Sequence, residues 1–259
     1  MPTLRRQALS VVLECNPDRK AAAARASDAS LPCEAGASLA EPAGVPGRPP
    51  LPHLVPPMEV PYRSVATTEG RAALIHALAH IELNAIDLAA DACWRFAGMP
   101  DAFYRDWSQV MREEALHFQL LTAHLATLGH AYGDFPAHHG LWEMAERTGH
   151  DVLARVALVP RTLEARGLDA SPAVRHKLMS AGDRAGAAII DIILRDEIGH
   201  VAIGNRWFAW LCARDGLDPV ATYASLAATH RAPRLRGPFN LDARRAAGFS
   251  AAELDALGR

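Results

Sequence analysis

Asp196-Glu197-Ile198-Gly199-His200 repeats a step met earlier in the chain, Glu113-Glu114-Ala115-Leu116-His117. Each is a Glu-x-x-His step preceded by an acidic residue. Three residues apart on a helix, Glu and His share a face. Around Glu114 the helical neighbours are Trp107, Val110, Met111, Phe118, Leu121 and Leu125; around Glu197 they are Ile190, Ile193, Leu194, Val201 and Phe208. Both stripes are apolar with a period near 3.6, so both steps face a core. A buried carboxylate with nothing to offset its desolvation is costly, and it normally sits on the solvated side. Something must compensate these two.

Two further acids share the predicament. Glu82 lies on the face of Ile75, Leu78, Ala79, Ile86 and Cys93, and Glu164 lies near Leu153, Ala157 and Pro160, a less regular stripe. Glu114 follows Glu82 by 32 residues, and Glu197 follows Glu164 by 33. The chain therefore reads as two copies of a helix with Glu followed by a helix with Glu-x-x-His. That is the ligand pattern of a carboxylate-bridged two-metal site in a four-helix bundle. Glu82, Glu114, Glu164 and Glu197 bring four negative charges, which two divalent ions neutralise, and His117 and His200 bind as neutral imidazoles. Glu143 or Glu146 is an alternative to Glu164.

The rest of the composition sets bounds. Half of the 259 residues are hydrophobic and 6% are aromatic, with alanine abundant and β-branched runs scarce, as suits an all-α protein. A formal net charge of −2 gives no strong global field, against a general nucleic-acid binder or a membrane-surface protein. Cys15, Cys33, Cys93 and Cys212 form no Cys-x-x-Cys spacing, which suits a reducing cytoplasm. No uninterrupted apolar run approaches the roughly 18 residues of a membrane span. The apolar run after Arg5 and Arg6 closes at Glu14, too short for a secretory leader. The expectation is a cytoplasmic protein.

Three regions are expected: residues 1–62, 63–216 and 217–259. Residues 3–16 form one amphipathic helix. From 20 to 62 prolines and small residues dominate, which gives either a disordered linker or a strap whose Leu51, Leu54, Val55 and Val60 lie along the bundle. Long helices are expected from Thr67 or Thr68 to Phe96, from an Asp101 N-cap to Leu128, over 141–166 and over 183–215. Pro160 interrupts the third just before Glu164. Gly167 to Pro172 reads as a turn before a short helix at 172–181. Pro219 opens another short helix, 231–248 has little periodicity, and a last helical turn occupies 250–257.

With these residues in hand, the chain resembles the ferritin-like superfamily, and more closely the uncharacterised family called domain of unknown function 455. The stretches that carry the likeness are HALAHIELNAIDLAADA (76–92), MREEALHFQLLTAHLATLG (111–129), YGDFPAHHGLWEMA (132–145), LVPRTLEARGLD (158–169) and DEIGHVAIGN (196–205). The resemblance implies a ferritin-like four-helix bundle with two iron ions; Mn/Fe and Mn/Mn pairs fit the same ligands. The close family is assigned no reaction; the metal chemistry itself makes the first expectation an oxidoreductase that activates O2 or peroxide, with an electron donor and hydroxylation of a small organic substrate as the reaction type. Related families include tRNA hydroxylases, but the near-neutral charge does not support a tRNA substrate. The rival readings are a ferroxidase or iron-handling protein and a non-enzymatic bundle stapled by metal.

Smaller expectations complete the reading. Glu113 and Asp196 each precede a ligand His by four residues, where a carboxylate orients the second ring nitrogen or simply faces solvent. His124, on the side of His117, is a core histidine rather than a third nitrogen ligand, and His76 and His80 lie on the face opposite Glu82, in surface or packing roles. His138 and His139 lie in a loop that covers the site or merely passes it. Gly199 leaves room for a substrate or oxygen channel, or for a close helix crossing. Arg231, Arg234, Arg236, Arg244 and Arg245 make a basic tail, solvated or holding a phosphate.

Overall fold

A computed structural model describes residues 2–138 and 140–257, and its regular elements are helical, with no strand among the described residues. The all-α expectation holds. The chain forms two compact units: Met1–Gly140 with Lys177–Ile189, and Leu141–His176 with Ile190–Arg259.

The first unit is built on α3 (Thr68–Arg95) and α4 (Asp101–Thr127), which pack side by side. The Thr67 hydroxyl caps α3 by accepting from Gly70 N–H. Gly98, in the left-handed region, turns the chain between the two helices. At the start of α4 the cap position belongs to Pro100, and Asp101 is the first helical residue rather than the N-cap. By length and composition α3 is apolar enough to cross a membrane, but 72% of its most apolar window is buried inside the protein, as in a core helix.

Residues 3–16 supply α1 (Leu4–Leu13), packed on α3 with Leu4, Ala8, Val11 and Val12 buried. A helix the sequence reading did not foresee, α2 (Pro17–Arg25), packs on α4. Its start has a clear signal, Asn16 capping Arg19 N–H with Pro17 in the first turn. The segment that follows is a strap. Arg5, fully buried, donates to the carbonyls of Glu34, Ala35, Ala37 and Trp94. Gly47 N–H reaches Val12 O at 2.7 Å, and Leu54 forms a bridge with Ala137. These bonds satisfy strap carbonyls that a buried segment without regular structure would otherwise strand.

The second unit holds α5 (Gly140–Arg147), α6 (Val152–Leu158), most of α7 (Ala165–Ser180) and α8 (Arg184–Asp215), then α9 (Pro219–Thr229), α10 (Leu241–Ala246) and α11 (Ala251–Leu257). Pro160 has no N–H for the carbonyl four residues back. The turn widens into a π-helix over Val159–Glu164, closed by Ala165 N–H on Pro160 O. Gly204 of α8 faces this segment; a Cβ there would lie 2.6 Å from the Pro160 ring, so the close approach requires glycine.

The expected turn at Gly167–Pro172 is absent, because α7 runs straight through it. Pro172 leaves the Leu168 carbonyl without its helical donor, and the Asn240 side-chain amide takes that place at 3.2 Å. Asn240 comes from a distant segment, which the local pattern around Pro172 does not reveal. A small core of Ala165, Leu168, Val201, Ala243 and Ala247 joins α7, α8 and α10.

Candidate metal centre

On α4, Glu114 and His117 stand one turn apart and both are fully buried; from α3, Glu82 reaches the same point, 4% exposed. His117 Nδ1 lies 3.2 Å from Glu82 Oε2 and 3.2 Å from Glu114 Oε2. A ligand atom from each of these three residues lies within 4.8 Å of the others. Val110, Met111, Phe118, Ile75, Ala79 and Ile86 are buried around the same stretches, so the cluster sits in an apolar core. Such burial favours neutral forms of isolated ionisable groups.

The electrostatics follow. Burial, and after it the Glu114 carboxylate, pushes the Glu82 carboxyl well above its usual range, with His117 opposing. Burial lowers His117, but its hydrogen bonds to Glu114 and Glu82 outweigh that and raise it to about 11. Without another cation, the cluster holds itself together by sharing protons among two acids and one base. This donor set, two carboxylates and an imidazole converging in a dry core, fits a divalent transition-metal ion taking the place of those protons. A buried cluster of Glu and His residues that can hold a metal ion is therefore present.

In the second unit, Glu197 and His200 are the matching step on α8, 7% and 0% exposed, with His200 Nδ1 3.6 Å from Glu197 Oε1. Glu164, half-buried, ends the π-helix. Its alternatives face outward: Glu143 pairs with Arg147 at 3.5 Å and Glu146 is exposed. Gly199 is exposed and a Cβ there would meet nothing within 4 Å, so it faces solvent and makes neither a close helix crossing nor a buried channel.

Glu113 accepts from Gln109, and Asp196 accepts from Arg195. His124 pairs with Asp183 at 2.9 Å, the satisfied core histidine expected. His76 and His80 are both buried and serve packing. His76 Nε2 accepts from Gly133 N–H, and His80 bridges the Tyr132 hydroxyl and the His138 carbonyl. His138 is thus a loop anchor, and His139 lies outside the described residues. Not foreseen was the buried pair of Lys20 and Asp87. Its only signal was an acid on the apolar run of α3 with no basic residue one turn away.

The sequence matches the family described as "Protein of unknown function (DUF455)" over residues 13–255. The chain belongs to the DUF455 family. An uncharacterized protein of Haemophilus influenzae (strain ATCC 51907 / DSM 11121 / KW20 / Rd) is 53% identical over 214 residues, covering 80% of this chain and 74% of that relative. No solved structure matches the chain significantly.

Proposed function

We propose that this DUF455 chain is a ferritin-like dimetal protein, an oxidoreductase that activates O2 or peroxide to hydroxylate a small organic substrate. In this reading the six ligands are Glu82, Glu114, His117, Glu164, Glu197 and His200. The observation that carries the reading is the buried Glu82–Glu114–His117 cluster, with a second buried Glu-x-x-His step on α8. Two iron ions, or manganese in place of one or both, would supply the electrons for reducing the oxidant; a donor would restore them. The chain's own part is to offer carboxylates and neutral imidazoles and to keep water out with the apolar residues of α3 and α4.

The test is anaerobic Fe(II) titration of the metal-free protein followed by admission of O2. Two irons per chain, rapid oxygen consumption and the near-ultraviolet absorption of an oxo-bridged ferric pair, all lost in Glu114→Ala and Glu197→Ala, are expected. One tightly bound metal, or two without oxygen reactivity, would sink the oxidant-activating reading and leave a metal-stapled bundle. Oxygen consumption accompanied by assembly into large cages in light scattering would favour iron handling.

A further inference from the structure

The second unit contains a cavity of about 400 Å³, within the size range of small-ligand pockets. Its wall is largely apolar, from Val220, Ala227, Leu235 and Leu257 among others, with the rings of Tyr223 and Phe249. Set into this wall are three arginines, Arg161, Arg234 and Arg244, and one acid, Glu253. None is among the six proposed metal ligands.

Two of the arginines are built in. Arg161 is 3% exposed and Arg244 0%. Arg161 donates through Nε to Asn205 at 2.6 Å and through Nη2 to Glu253; Arg244 donates through Nε and Nη2 to Asp169 at 3.0 and 2.7 Å. Aromatic rings shelve both guanidinium groups: Phe208 lies 4.3 Å from that of Arg161, and Phe249 lies 5.2 Å from each. In each arginine the third nitrogen, Nη1, is buried without a hydrogen-bond partner among the described residues. A buried guanidinium N–H left unmatched is costly, and a negatively charged acceptor is its strongest partner.

The acid does not answer that need. One Glu253 oxygen is taken by Arg161, and the other accepts from the Ser250 N–H and hydroxyl, both at 2.8 Å. Arg234 is exposed and has no ion pair among the described residues. The wall therefore presents cationic surplus at one part and apolar surface over the rest.

We propose that this cavity binds a small organic anion, with a carboxylate or phosphate headgroup among Arg161, Arg234 and Arg244 and an apolar body against Val220, Ala227 and Leu235. This site does not depend on the metal centre. A cationic ligand would face three arginines with no uncommitted acid, and a neutral one would leave both Nη1 groups unmatched.

Calorimetric titration of the full chain with octyl phosphate, octanoate and octanol tests it. The expected result is saturable binding of one anion per chain, about tenfold or more tighter than octanol and weaker at high salt. Whichever of octyl phosphate and octanoate binds tighter identifies the headgroup. Arg234→Gln, at an exposed position, keeps the thermal midpoint of the free protein and weakens the anion about tenfold. Ala227→Trp fills the cavity with every charge in place and abolishes binding. Octanol binding as tightly as the anions, no binding of any probe, or anion binding unchanged in both variants would each overturn the proposal.

Discussion

Glu82 and Asp87 lie five residues apart on α3, both buried, yet the chain treats their charges in opposite ways. Asp87 meets Lys20, whose ammonium also donates to the Gly47 carbonyl at 2.9 Å and is itself 1% exposed. Burial pushes Asp87 up to about 6, and the nearby Lys20 charge pulls against it. The positive charge is resident and covalently fixed. Glu82 instead meets a second acid, Glu114, and one imidazole. The bonds that join Glu82, Glu114 and His117 run between two acids and one imidazole, so exchangeable cations, protons or metal, can balance their negative charge. Buried acids alone therefore do not mark a metal site; buried acids that converge on an imidazole do.

Removing the resident cation should have the largest effect. Lys20→Met strands Asp87 and loosens the strap at Gly47, costing about 3–5 kcal/mol in urea unfolding. Adding Asp87→Leu removes the stranded acid, and the double variant should recover most of the loss. Equal losses in single and double variants would show that Lys20 acts through the strap alone, and the contrast with Glu82 would fail.

The Glu82 cluster should respond in the other direction. Glu82→Gln relieves the crowding of two carboxylates, so the metal-free variant should unfold at the same urea concentration as the parent or higher. The parent should gain about 3–4 kcal/mol from Fe(II) or Mn(II) at 100 to 1,000 times the dissociation constant. The variant should gain little. A metal that stabilises parent and variant alike binds elsewhere.

The legible parts of the molecule were those written in local periodicity. The long helices and the paired Glu-x-x-His steps stand in the sequence because each residue's neighbours at three and four positions announce its face. Glu82 was legible for the same reason, as an acid on an apolar stripe. Less legible was whatever depends on a distant partner. Gly167 and Pro172 read as a turn because nothing local shows that Asn240 supplies the missing donor to Leu168. The strap read equally well as disorder, since its carbonyls are held by Arg5 and Lys20 from remote helices. The cavity arginines are scattered from 161 to 244, with no common spacing.

The same helix offers a third way to bury an ionisable group, which is to keep it neutral. His76 accepts from Gly133 N–H at 2.9 Å through Nε2 and stacks on Tyr132 at 5.1 Å between ring centres. Burial pushes it down to about 4, with Asp134 opposing only weakly. Between that value and the ordinary 6.5, the unfolded chain carries a proton the folded chain does not, so stability rises with pH. The contribution is complete above about 6.5 and is lost as pH falls toward 4. Protonation would also remove the acceptor that holds Gly133. His76→Gln keeps an acceptor for that N–H and cannot titrate. From pH 7 to pH 5 the parent should therefore lose about 1–2 kcal/mol more than the variant, the smallest of these effects, read from urea midpoints at the two pH values. Equal losses would show that His76 does not set the acid sensitivity of the first unit; the raised carboxyls of Asp87 and Glu82 take up protons more readily in the folded chain, so they offset acid losses and do not cause them.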